Sequence, residues 1–232
     1  MSQFGFVGYT RGMNLEDFTS QFNEAAYKSF GAGEMILYQG ELPRAVFVLK
    51  SGLAKMYSIS AGGEERIVDF LVSGEVLASS WVFGSANSTI YYYQAIEDCI
   101  VYEVPKADFL TYVYTEKAAI AMIDRATSQY TASLIRITAL EQARARDKIL
   151  FTFYYLLQRF GKEIVPGWYT IQLSLTHQMI ADLVGLTRET TAVELNSIKK
   201  TKVLSYKRQK YLVHKARLIK AIGEDTFANV TF

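Results

Sequence analysis

The sequence predicts an α+β chain: a mostly antiparallel β first half, a long amphipathic helix, and a small helix-turn-helix domain with a hairpin behind it. Three observations carry this. Short β-branched and aromatic runs cut by glycine fill residues 35–104, apolar residues spaced three and four apart fill 118–141, and two short amphipathic helices in SLTHQMIADLVGLTRETTAVELNSIKK precede VLSYKRQKYLVH. At 232 residues the chain suits two modest cores, since single cores of about 100–150 residues are commonest. Half the residues are apolar and 14% aromatic, which gives each core enough surface to bury.

From Met35 to Val104 the runs MILYQGE, AVFVLKSG, LAKMYSIS, RIVDFLVSG and STIYYYQAIEDCIVYEV are punctuated by Gly40, Gly52, Gly62, Gly63, Gly74 and Gly84. Turns every 8–12 residues or so, without helical patterns between them, predict an antiparallel sandwich or barrel. The GAG at 31–33 lacks a third glycine and precedes its strand, so it reads as a turn and not as a dinucleotide-binding loop.

Pro105 ends the last run and opens a short helix in KADFLTYVYTEK, because proline is tolerated in a first helical turn. In the next helix Ile120, Ile123, Thr127, Tyr130, Leu134 and Ile137 form a heptad seam. A seam of about three heptads fits a two-stranded coiled coil and therefore a homodimer. It also fits a helix lying on its own β domain. Arg125 and Arg136 fall off the seam, and Thr127, with its low helix propensity, hints that something touches the seam there. From Asp147, KILFTFYYLLQRFGK gives an apolar helix with Gly161 expected at its C′ position, and VPGWYTIQLSL follows as a turn and a short strand.

Thr176 is expected to cap a helix running through Val184, Gly185 to take a positive φ in the turn, and Thr187 to cap a second helix. Ile180, Ala181, Leu183 and Val184 supply the inner face of the first, and Thr191, Leu195 and Ile198 that of the second. This is a helix-turn-helix, although a plain helical hairpin shares the spacing. Arg188, Glu189 and Val193 project from the other face. Arginine can bond the guanine edge twice, glutamate can accept from the cytosine amino group, and valine can touch a thymine methyl. Thr187, Thr190, His177 and Gln178 lie at the two helix starts, where phosphate contacts belong. The hairpin with its basic tip Lys207-Arg208-Gln209-Lys210 makes a winged helix, and Lys199, Lys200 and Lys202 extend its positive surface.

Charge divides along the chain. Residues 1–145 carry 11 Lys/Arg against 16 Asp/Glu, while 146–232 carry 14 against 7. A one-ended positive field attracts phosphate and displaces counterions, which points to double-stranded DNA as partner. No apolar run reaches the 18–20 residues or so of a membrane span, and MSQFGFVGYTRGMNLEDF has neither a basic start nor an apolar signal core. A cytoplasmic protein is expected. Cys99 is the only cysteine, and His177 and His214 are the only histidines. An intrachain disulfide, a clustered zinc site and a cysteine-held iron–sulfur cluster are therefore excluded, and Cys99 reads as a buried packing residue. No G-x-S-x-G, H-E-x-x-H, phosphate-cradling loop or Cys–His arrangement suggests an enzyme.

With QGE at 39–41, SG at 51–52, the long helix and above all LTHQMIADLVGLTRETT with its hairpin, the chain resembles the CRP–FNR superfamily of bacterial transcription regulators over nearly its whole length. The resemblance implies a β-roll (jelly-roll-like) effector-sensing domain over 1–115, a dimerisation helix over 116–146 and a winged-helix DNA-binding domain over 147–232. It also implies a homodimer on a palindromic operator, with RNA polymerase as a further partner. Members read bases with two adjacent residues and a third four beyond the second, here Arg188, Glu189 and Val193. The third is commonly polar, so Val193 departs from the pattern.

The sensor departs further. Gly74-Glu75 matches the family's glycine turn, and the ribose-binding Gly-Glu pair of cyclic-AMP-binding members falls on Ala78-Ser79. No Lys or Arg occurs between Arg66 and Lys106, so a cyclic phosphate would be buried there without a cation. Cyclic AMP in the usual mode is not expected. In WVFGSANSTIYYY, Trp81, Phe83, Tyr91, Tyr92 and Tyr93 suit a flat or apolar effector. Ala78, Ser79, Trp81, Tyr91, Tyr93, Thr127 and Tyr130 are the candidate effector pocket, although alternating tyrosines can also simply cover a sheet. Haem and an iron–sulfur cluster are disfavoured, since neither histidine lies in this domain and only one cysteine exists. Two alternatives stand beside an effector-controlled regulator: a constitutive DNA binder with an empty sensor, and an effector-binding or protein-interaction module without DNA binding.

Overall fold

A computed structural model describes residues 21–223, so the expectation for the first eighteen residues lies outside the described part. The chain divides into two compact units, the first ending at Arg125 and the second beginning at Ala126, inside one long helix.

The first unit holds β1 (Ala26–Phe30), β2 (Met35–Leu37), β3 (Val46–Ser51), β4 (Ala54–Ile59), β5 (Glu65–Leu71), α1 (Ser79–Val82), β6 (Tyr92–Ala95), β7 (Cys99–Val104) and α2 (Lys106–Val113). Its strands form a three-stranded sheet, β1-β7-β3, and a four-stranded sheet, β2-β6-β4-β5, with every pairing antiparallel. The alternation in β3 and β7 shows why both read as continuous apolar runs. Phe47, Leu49, Cys99 and Val101 enter a core shared with Leu37, Ala54, Leu71, Tyr93 and Ala95 of the other sheet. Val46, Val48, Tyr102 and Val104 face the opposite way, into a second core with Phe22, Phe109 and Val113. A strand buried on both faces needs no polar residue at every second position.

Three sequence expectations are corrected. β1 lies upstream of the predicted β span. STIYYYQAIEDCIVYEV is two strands in different sheets, and the chain changes sheets across Ile96-Glu97-Asp98, where Ile96 and Glu97 both donate to the Leu53 carbonyl. The short helix α1 was not foreseen. Cys99 is buried as expected, its thiol donating to the carbonyls of Leu53 (3.4 Å) and Glu97 (3.2 Å); burial pushes it up to about 11.

The long helix, α3 (Glu116–Glu141), passes from one unit into the other. The second unit continues with α4 (Ala145–Phe160), β8 (Gly161–Val165), β9 (Trp168–Ile171), α5 (His177–Val184), α6 (Arg188–Lys200), β10 (Leu204–Lys207), β11 (Lys210–His214) and α7 (Lys215–Ile222). α4 is its central beam, with Ile149, Leu150, Phe153, Tyr154, Leu156 and Phe160 all buried. The four strands form one sheet, β10-β11-β9-β8. Gly161 is not a left-handed cap: its φ of −79° and ψ of 132° begin β8. Its role is steric, since a Cβ there would lie 2.2 Å from the Leu157 carbonyl oxygen.

Candidate nucleic-acid interface and sensor cleft

The helix pair follows its local signals. The Thr176 side chain accepts from the Met179 N–H at 3.1 Å and caps α5. Gly185 turns the chain at φ 69°, a left-handed conformation that costs glycine little. The Thr187 side chain accepts from the Thr190 N–H at 3.1 Å and caps α6. Ile180, Ala181, Leu183 and Val184 of α5 and Thr191, Leu195 and Ile198 of α6 are buried. Arg136 of α3 donates to the Leu183 carbonyl at 3.2 Å, a cation at a helix C-terminus where the backbone dipole favours it.

The opposite face of α6 is open. Arg188, Glu189 and Thr190 of its first turn are exposed, and Val193 is 67% exposed. Lys199 and Lys200 close its last turn. The wing turns at Arg208, which takes a φ of 55°, and Lys207, Arg208 and Lys210 are exposed at its tip. The structure thus leaves Arg188, Glu189, Thr190 and Val193 exposed together in the first two turns of α6. Gln178, also exposed, donates to Asp182 at 2.7 Å.

Sequence reasoning missed Tyr206, which ties these elements together. Its hydroxyl donates to Asn196 Oδ1 of α6 at 2.8 Å, its ring stacks on Tyr211 at 5.1 Å, and Lys199 Nζ lies 4.6 Å over it. The His177 ring meets it edge-on at 5.5 Å. His177 is half-buried; burial, and then the positive charge of Arg188, push it below the usual histidine range. The alternation of SYKRQK marks Tyr206 as facing opposite to its neighbours, but its partners lie on other elements.

In the sensor, Ala78 precedes α1 with φ 51° and ψ 40°, the left-handed region where the family's glycine would sit without strain. Glu75 is buried: its Oε2 accepts from the Val72 N–H at 3.0 Å and its Oε1 lies 3.2 Å from Arg125. Thr89 is also buried, and its hydroxyl donates to the carbonyls of Tyr38 and Glu41. With the backbone bonds Gly40 N–H to Thr89 and Thr89 N–H to Glu41, it fastens the loop after α1 to the turn after β2. Trp81 and Tyr91 are partly buried against the inter-sheet core, and Tyr93 is within it. Burial pushes the Tyr93 hydroxyl up to about 12, against a bond with the Ala78 backbone.

Two aromatics leave the expected cleft. The period of a strand sends Tyr92 to the other face, where it stacks on Tyr57 at 5.3 Å, and Phe83 is exposed beside Phe109. Ser79 is exposed. Thr127 and Tyr130 belong to the second unit and are exposed on α3. They share that exposure with Ile120, Ile123, Leu134 and Ile137, while Ala118, Ala132, Ile135 and Ala139 of the same helix are buried. The helix therefore carries a covered stripe and a second, uncovered apolar one.

A helix-turn-helix with a basic hairpin, joined to a two-sheet sensor, defines a winged-helix regulator with a ligand-binding-type domain. Comparison with known proteins agrees. Residues 27–115 match the cyclic nucleotide-binding domain family, and residues 153–221 match the Crp-like helix-turn-helix domain. The global nitrogen regulator of Synechococcus elongatus is 25% identical over 194 residues, 82% of this chain and 83% of that protein. The fumarate and nitrate reduction regulatory protein of Vibrio cholerae is 25% identical over 183 residues, 78% and 71% of the two chains. Among solved structures, a CooA mutant from Carboxydothermus hydrogenoformans has a TM-score of 0.74 at 22% identity, covering 92% of this chain and 97% of that one. CprK complexed with OCPA has a TM-score of 0.66 at 19% identity, covering 89% and 93%. The chain belongs to the CRP–FNR family of DNA-binding transcription regulators, a family of regulators and not of enzymes. Among the described residues no helix is long and apolar enough to cross a membrane.

Proposed function

We propose that the protein is a cytoplasmic homodimer that reads a palindromic operator with α6 and answers to a small-molecule effector other than cyclic AMP. The observation that carries this is the division of α6, with Thr191, Leu195 and Ile198 buried while Arg188, Glu189 and Val193 face out. Arg188 and Glu189 favour a G·C pair in each half-site and Val193 a thymine methyl. Thr187, Thr190, His177, Gln178, Lys199, Lys200, Lys207, Arg208 and Lys210 hold the phosphates on either side. The uncovered stripe of α3 supports pairing with a second copy, since the face turned toward its own chain is a different one. Residues 1–115 form the sensor, 116–146 the dimerisation helix and 147–232 the reading domain.

The sensor supports the exclusion of cyclic AMP. The loop after α1 carries no cation, and Thr89 fastens it to backbone carbonyls. An effector acts through unequal affinity for two placements of the recognition helices, which must meet successive major grooves about 34 Å apart. Binding of Arg188→Ala and Lys207→Ala to operator and to random duplex across a salt series tests the assignment. Arg188→Ala loses about 1–3 kcal/mol on the operator alone. Lys207→Ala weakens all DNA alike and reduces the salt slope by about one. Equal loss on every sequence for Arg188→Ala contradicts base reading.

A further inference from the structure

We infer that Asn196 is a further DNA contact of α6, donating its amide to a backbone phosphate, and that Tyr206 is the positioning residue that aims it. The inference rests on the proposed reading of α6 as the recognition helix and deepens it.

Helix geometry puts Asn196 beside residues already assigned. Glu189, Val193, Asn196 and Lys200 follow one another at spacings of four, three and four residues, and all four are exposed. Side chains at those spacings share one stripe of a helix. That stripe lies opposite the buried one formed by Thr191, Leu195 and Ile198. Asn196 therefore stands between Val193, proposed to touch a base, and Lys200, proposed to hold a phosphate. Recognition helices read bases with their first turns and meet the sugar–phosphate backbone beyond them.

The wing sets the conformation of this side chain. The Tyr206 hydroxyl of β10 donates to Asn196 Oδ1 at 2.8 Å. The Tyr206 ring is itself anchored. It stacks on the buried Tyr211 at 5.1 Å, Tyr211 packs on Phe153 of α4 at 5.2 Å, and the His177 ring meets Tyr206 edge-on at 5.5 Å. Lys199 donates to the Tyr206 carbonyl at 3.4 Å, and at the hairpin tip the Gln209 carbonyl accepts from the Leu175 N–H at 3.0 Å. The phenol is thus fixed to the core of its unit while its hydroxyl reaches the surface of α6.

This bond decides which end of the amide is free. An asparagine side chain has one carbonyl acceptor and two N–H donors. The carbonyl is engaged by Tyr206, and among the described residues no acceptor takes either donor. A pair of donors suits a phosphate oxygen, whereas the bidentate reading of adenine needs the carbonyl and the amide together. Immobilising a side chain at an interface costs entropy, and Tyr206 restricts this one before DNA arrives.

Equilibrium binding of the full-length protein to a duplex selected from a random library, and to a random-sequence duplex of equal length, tests this. Asn196→Ala, Tyr206→Phe and the double variant are compared with wild type over a salt series. Asn196→Ala is expected to weaken both duplexes by the same factor, about threefold to tenfold, the value of one hydrogen bond to a charged acceptor in competition with water. Its salt slope stays that of the wild type, because a neutral donor displaces no counterion, and this separates it from Lys207→Ala. Tyr206→Phe is expected to weaken both duplexes at least about twofold and by no more than Asn196→Ala does. It has no effect once Asn196 is alanine. A merely structural tyrosine weakens DNA binding in both backgrounds, so equal loss there overturns the positioning role. Undiminished binding by Asn196→Ala overturns the inference, as does loss confined to the selected duplex, which would make Asn196 a base reader. Arg188→Ala in the same series keeps the two proposals apart, since its loss on the selected duplex alone upholds base reading by α6 even where Asn196 is silent. A wild type that retains neither duplex at low salt overturns both.

Discussion

The guanidinium of Arg125, where the first unit ends, lies 3.2 Å from Oε1 of Glu75, a side chain only 3% exposed. The same carboxylate holds the turn after β5 through the Val72 N–H, and the Glu75 carbonyl accepts from Leu49 of β3. One residue thus joins the glycine turn, strand β3 and the long helix.

Removing Arg125 leaves that buried carboxylate without its cation. Arg125→Ala is expected to cost about 2–3 kcal/mol of stability, less than a fully buried pair because the arginine is 27% exposed. Glu75→Gln, which keeps an acceptor for Val72, costs less, and the double variant costs less than the two singles together. Urea unfolding of the four proteins measures this; additive effects would show that the pair is not coupled.

His177 provides a pH signature. Burial and Arg188 hold its folded pKa below the ordinary 6.5, so the folded state binds fewer protons than the unfolded one. Its contribution to stability is fully present above about pH 6.5 and is lost as pH falls through the folded value. NMR titration is expected to find His177 below 6.5 and to find it raised in Arg188→Ala. An unchanged His177 in that variant would place the two side chains apart.

Ala78 holds a left-handed backbone that costs a side-chain-bearing residue about 1 kcal/mol. Ala78→Gly relieves this while adding unfolded-state freedom of similar size. The variant is expected to be neutral or up to about 1 kcal/mol more stable by thermal unfolding. A loss of more than about 1 kcal/mol would mean the methyl group has a packing role that outweighs the strain.

How much was legible depended on how local each signal was. Thr176, Gly185 and Thr187 set the limits of α5 and α6 through bonds to residues at most four away, and all three act as the sequence predicts. β8 was hidden because Lys162, Glu163, Ile164 and Val165 are all exposed, leaving no alternation to read. Tyr206 depends on partners ten residues away in Asn196 and farther still in His177.

Ile123 and Tyr130 of α3 are 64% and 65% exposed and lie at heptad spacing, the surface on which the proposed pairing of two copies rests. Ile123→Glu is expected to convert the sedimenting species from dimer to monomer and to weaken operator binding far more than it lowers monomer stability. A variant that remains dimeric would move the interface elsewhere.

Selection of bound duplexes from a random library, with wild type and Arg188→Ala in parallel, tests the central claim most directly. The wild type is predicted to enrich two inverted half-sites whose centres lie about one helical turn apart, each with a G·C pair whose preference is lost in Arg188→Ala. Enrichment of a single unrepeated site, or the same consensus from both proteins, would contradict it.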